Sequence, residues 1–199
     1  MFYAGSTFIR ANEADIGAAV SSVFDDFHYL HGAKTLLTLW IGPHPPIPAI
    51  AAENPGRLGI RLALCGDVDP NGRSAEPSPP LEGVTSYFYT LPRNRVNDWL
   101  IKASQERNHL RPDEAVASGM AAAIAAVEAL SAAPSTETDA LISSLEGLSF
   151  ETPKGRMTFR AEDHQALQVM YYFRIESPSA LPELAREIDA SEMPLPLRP

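Results

Sequence analysis

Three short stretches of this chain place ligand-contacting residue types where a chain changes direction. Trp40-Ile41-Gly42-Pro43-His44 brings an aromatic edge, a glycine and a histidine out of an apolar run together. Gly66-Asp67-Val68-Asp69 presents carboxylates that can pair an ammonium group, and Ala117-Ser118-Gly119-Met120 sets a small residue early in an alanine-rich run, where a ligand can approach backbone amides. The chemistry on offer is recognition of a small polar molecule, and Trp40, Gly42, His44, Gly66, Asp67, Gly119 and Met120 are the candidate ligand-binding residues. Each also has a plainer role: Trp40 as a packing residue, Asp67 and Asp69 as a solvated turn, and Gly119 as a point of close helix packing.

Bond-making chemistry finds little support. Asp163-His164 supplies two members of a hydrolytic triad, but no serine stands in the strained Gly-x-Ser-x-Gly turn that would make the third. His164 instead reads as a hydrogen-bonding tie for the elbow Asp163-His164-Gln165. The histidines at 28, 31, 44, 109 and 164 lack the spacing of a zinc helix or ribbon. There is no G-x-G-x-x-G and no Walker loop, so no nucleotide and no other cofactor is expected, and the chain reads as a non-enzyme. A formal charge of −9, from 25 acidic against 16 basic side chains, opposes a phosphate backbone and sets nucleic acid aside. The single cysteine, Cys65, excludes an intrachain disulfide and is expected to be a buried structural thiol.

The elements that must position these residues alternate. Helical spacing runs from Asp15 to Leu30, and the β-prone run Thr35 to Ile41 suits a strand covered on both faces. A short helix is expected over Ile47 to Glu53, a second buried strand at the end of Arg57 to Cys65, and a third strand over Gly83 to Tyr89. Helix, strand, helix, strand is the order of a doubly wound parallel sheet, in which ligands bind outside the carboxyl ends of strands. After the break at Leu91-Pro92-Arg93-Asn94 come helices over Arg95 to Arg107, Asp113 to Ala133 and Thr136 to Leu145. In the second of these, Met120, Ile124, Val127 and Leu130 form the expected apolar ridge. A hairpin spans Phe150 to Arg160 about Pro153-Lys154-Gly155, a strand covers Val169 to Ile175, and Leu181 to Ile188 reads as a short helix. No uninterrupted apolar stretch approaches the ~20 residues of a bilayer span, and Met1 to Thr7 lacks the pattern of an export signal.

The hairpin and elbow from Gly155 to Gln165 with Met170-Tyr171-Tyr172-Phe173-Arg174-Ile175 closely resemble the C-terminal half of leucine/isoleucine/valine-type solute-binding proteins of ABC importers. So do Tyr87 to Trp99, Gly119 to Leu130, Glu146 to Gly155 and Leu184 to Ile188. The resemblance implies a type I periplasmic-binding-protein-like α/β fold of two lobes with doubly wound parallel sheets, incomplete because the N-terminal half is missing. By that analogy, residues 1–90 are part of the second lobe, 91–174 part of the first, and 175–199 a return to the second. Lobe closure on an amino acid or related small polar solute would follow, with Asp67 matching the ammonium group and Gly119 or Met120 bordering the side-chain pocket. The implied partner of the full-length protein is an ABC permease in the membrane, and the implied location is the periplasm. A sensory module of the same fold is the alternative. An incomplete first lobe also predicts self-association through an exposed sheet edge.

Overall fold

Apolar residues at period two and period 3.6 set the elements in the computed structural model, which describes residues 5–9, 16–39, 46–66, 80–176, 180–193 and 196–197. The chain divides into two units, each discontinuous in sequence: residues 1–66, 73–83 and 174–181 form one, and 67–72, 84–173 and 182–199 the other.

The first unit opens with α1 (Ile16–Phe27), which buries Val20 and Phe24. Strand β1 (Lys34–Leu39) follows, then α2 (Ile47–Ala52), entered through prolines, and β2 (Ile60–Cys65). Helix α2 packs on α1, where the Ser21 hydroxyl donates to the Glu53 carboxylate. Strands β1 and β2 pair in parallel, from Lys34 opposite Ile60 to Leu39 opposite Cys65. A parallel pair needs a crossover between its strands, and α2 supplies it.

The chain passes between the units within β3 (Leu81–Thr85) and again within β7 (Met170–Ile175). The hydrogen-bonded order of the larger sheet is β1-β2-β3-β7-β8, with β8 at Glu183–Ile188. Within the second unit, α3 (Arg95–Asn108), α4 (Glu114–Ala132) and α5 (Thr138–Leu145) precede the antiparallel sheet of β4 (Ser149–Thr152), β5 (Gly155–Phe159) and β6 (Ala166–Gln168). Its core joins Ala121 and Ala125 of α4 to Phe150 and Met157 of the hairpin, with Phe150 and Phe159 stacked at 5.6 Å.

Several expectations change. Among the described residues, strand β1 is not covered on both faces: none of its six residues is fully buried, and Leu37 and Leu39 are 58% and 69% exposed. Cys65 is exposed, because alternation in β2 turns Ile60, Leu62 and Leu64 inward and Arg61 and Cys65 outward. The third strand ends at Thr85, and Tyr87, Phe88 and Tyr89 beyond it are all buried. The segment Glu183–Ile188 is a strand, since pairing along β7 outweighs the helix propensity of Leu184, Ala185 and Glu187. In α4 the inward row is Ala117, Ala121, Ala125 and Ala129, while Val127 and Leu130 face solvent. At 19 residues α4 is also long and apolar enough to cross a membrane by length and composition, although Ser118 and Glu128 interrupt its apolar run; its alanine row packs on the hairpin.

Candidate functional site

In the first unit the geometry that matters is the parallel register. Leu39 stands opposite Cys65, so β1 and β2 end side by side at one edge of the sheet. Gly66 follows directly, half-buried. The carboxyl edge of a parallel sheet is where loops expose free backbone groups to ligands. Trp40, Gly42, His44 and Asp67 lie outside the described residues.

In the second unit, α4 carries Gly119 and Met120. Asp113 caps it, its carboxylate accepting from the Val116 amide at 2.9 Å, and the helix ladder begins with the Ala117 amide donating to the Asp113 carbonyl. Gly119 is therefore inside the hydrogen-bonded helix and not at an open terminus. Among the described residues, a Cβ added there would meet nothing within 4 Å. No described neighbour packs closely against this glycine. Met120 is half-buried beside it.

A buried ion pair fixes the start of α4. Lys154, only 5% exposed at the hairpin turn, donates from Nζ to Glu114 Oε1 at 2.8 Å and to the Ser118 hydroxyl at 3.1 Å. Ser118 in turn donates to Glu114 Oε1 at 3.0 Å. The turn itself is held by the Tyr171 hydroxyl donating to the Lys154 carbonyl at 2.9 Å, and by Thr152 donating to the Gly155 carbonyl at 2.7 Å. Gly155 is required here: its φ is +100°, and a Cβ would come within 3.1 Å of the Tyr171 hydroxyl.

Two tyrosines and an asparagine order the approach to α3. The Tyr87 hydroxyl donates to Asn97 Oδ1 at 2.8 Å, and Asn97 Nδ2 donates to the carbonyls of Tyr89 and Pro92, each at 2.9 Å. Burial, reinforced by the carboxylates of Glu114 and Asp113, raises the Tyr87 hydroxyl well above its usual range; burial and then Glu187 do the same for Tyr171. Both phenols stay neutral donors. An open hollow of about 570 Å³ lies beside this loop, lined by Tyr89, Pro92, Arg93, Arg95 and Asp98 among others; neither Gly119 nor Met120 borders it.

The elbow is tied chiefly by Arg160, whose Nε and Nη2 fork onto Asp163 at 2.7 and 2.6 Å. His164, at φ +57°, contributes its amide to the Arg160 carbonyl and places Nε2 3.1 Å from Glu146. Sequence reasoning missed Lys154, Glu114 and Asn97 as positioning residues. The clue for Lys154 was its place inside a hairpin turn otherwise made of proline and glycine. Among the described residues no group of three or more His, Cys, Asp or Glu side chains is placed to hold a metal ion.

Comparison with known proteins adds the following. The profile of a family described as periplasmic binding protein matches residues 36–180. A solved ABC-type branched-chain amino acid transporter protein from Rhodopseudomonas palustris is 37% identical over 94% of this chain and 51% of its own, with a TM-score of 0.79. A leucine-binding protein from Thermotoga maritima is 17% identical over 94% and 52%, with a TM-score of 0.68. A solute-binding protein of R. palustris in complex with benzoate is 18% identical over the same shares, also at 0.68. The last two show likeness of fold alone. The chain spans about half the length of these relatives, and no curated protein matches it.

Proposed function

From the membership of this chain in the periplasmic binding protein family, we propose that it forms part of the substrate-binding component of an ABC importer and that the solute is an amino acid or a close relative of one. The observation that carries the reading is the 37% identity, over nearly the whole chain, to a protein described as a branched-chain amino acid transporter. The fold alone does not choose the solute, because relatives of the same fold are described with leucine in one case and benzoate in another.

In this reading, residues 1–90 and 175–199 belong to one lobe and 91–174 to the other, and capture follows closure of the protein's lobes. Asp67 pairs the ammonium group of the solute. Trp40, Gly42, His44 and Gly66 form the loop wall around it, and Gly119 and Met120 border its side chain. The parallel register that ends β1 and β2 at one edge supports assigning the 40–44 and 66–67 segments to a common wall. The protein acts in the periplasm and delivers its solute to a membrane permease.

Isothermal titration with aliphatic amino acids and with benzoate tests this, using the chain alone and the chain joined to the part of the R. palustris relative that lies outside the matched region. Amino-acid binding that Asp67→Asn weakens about tenfold is the expected result, since a charge-assisted pair of this kind contributes about 1.5–3 kcal/mol. Benzoate bound as tightly as any amino acid, with no effect of Asp67→Asn, would replace the amino-acid assignment by an aromatic carboxylate.

A further inference from the structure

The chain passes between its two units between Gly83 and Val84 and again between Phe173 and Arg174. A few residues from each passage, on the second-unit side, stands a buried tyrosine: Tyr87, 1% exposed, after the first, and Tyr171, 2% exposed, before the second. A phenol taken out of water keeps its hydroxyl bonded, and each of these has a directed partner. Tyr87 donates to Asn97 Oδ1 at 2.8 Å and Tyr171 to the Lys154 carbonyl at 2.9 Å.

The two partners belong to one set of hydrogen bonds. Asn97 Nδ2 donates to the Tyr89 and Pro92 carbonyls, which closes the loop after Tyr87 onto α3. Asn94 caps α3 by accepting from the Asn97 amide at 2.8 Å, and its Nδ2 reaches the hairpin turn at the Pro153 carbonyl, a longer 3.4 Å. The Lys154 side chain joins that same turn to Glu114 and Ser118 of α4. Burial first, then Glu114, Asp113 and Tyr171, hold the Tyr87 phenol above its usual range, so both phenols and the start of α4 share one neighbourhood.

We propose that Tyr87 and Tyr171 are paired clamps that fix the second-unit ends of both passages to this single block, with Asn97 and Lys154 as the residues that position them. Bending that accompanies solute capture then falls on residues 84–86 and 172–174, between the clamps and the first unit. Only that consequence rests on the lobe-closure reading. The clamps are tested without any solute, so their failure and the failure of that reading are distinguishable.

Hydrogen exchange of the backbone amides, followed by mass spectrometry on the whole chain, is the test. Tyr171→Phe removes one hydroxyl. It is expected to raise exchange about tenfold in residues 170–173 and, across the block, in residues 87–98, while residues 122–132 of α4 change less than about twofold. Tyr87→Phe should give the same pair of changes, and the double variant less than their product, because the two clamps share partners. A response confined to the segment that carries the substitution would overturn the single block. A uniform rise at every protected amide would overturn it too, since a general loss of stability does that. Should Tyr87→Phe fail to fold, Tyr171→Phe alone decides, through the response at residues 87–98.

Discussion

Around the β4–β5 hairpin, Phe150 and Met157 lie under the alanine row of α4, and the Lys154 ammonium is matched by Glu114 and Ser118. Along β1, none of six residues is fully buried, and two leucines face outward. The first region is closed on itself: apolar surface meets apolar surface and a buried charge meets its counter-charge. The second has the composition of an interior strand and the environment of an edge. Among the described residues, only the first region gives its apolar and charged side chains the surroundings they suit.

The contrast can be broken most forcefully at Lys154. Lys154→Ala leaves the largely buried Glu114 carboxylate with the Ser118 hydroxyl as its side-chain hydrogen-bond donor among the described residues, where its Oε2 is already buried with no hydrogen-bond partner. A loss of about 3–5 kcal/mol in urea unfolding is expected, most of it recovered when Glu114→Gln is added. Next comes a matched pair of truncations in the first unit. Leu62→Ala, in buried β2, should cost about 2–4 kcal/mol, and Leu39→Ala, on the open face of β1, less than about 0.5 kcal/mol. Equal costs would show that β1 is covered after all.

Alkaline titration sharpens the same comparison, because both raised phenols lie in the closed region. Tyr87 and Tyr171 hold their protons in the folded state beyond the ordinary tyrosine value of 10.0, so the unfolded chain releases protons first. Stability should be flat with respect to these groups below pH 10 and fall as pH rises above it, with Tyr87→Phe reducing the slope. The smallest effect is a gain. Gly119→Ala sits in mid-helix where a Cβ meets nothing, and should stabilise the chain by about 0.5–1 kcal/mol in thermal unfolding. A destabilisation would reveal a steric demand on α4 that its present neighbours do not make.

What could be read from sequence was what local chemistry decides. Pro153-Lys154-Gly155 announced its turn and Asp113 its helix start, because proline, glycine and a capping carboxylate act on their own neighbours. The α/β order and the parallel β1-β2 pair were legible for the same reason. Faces and partners were not. The ridge expected on α4 followed bulk, yet alanines turn inward because the hairpin's phenylalanines already fill the space between. Glu183–Ile188 has helix-forming residues but pairs with β7, a long-range choice that no local window contains. Of the candidate site, Gly66, Gly119 and Met120 are placed, whereas Trp40, Gly42, His44 and Asp67 fall outside the described residues.

The interrupted make-up of the two units has a consequence for synthesis. The first unit opens at residue 1 but includes residues 174–181, and the second extends to residue 199. During translation the strand pair β1-β2 emerges long before β7, so the growing polypeptide must hold a half-built sheet while the ribosome supplies roughly a hundred further residues. Chaperone demand should therefore peak late in elongation, and a premature stop ahead of Arg174 would leave both units, not one, unfinished.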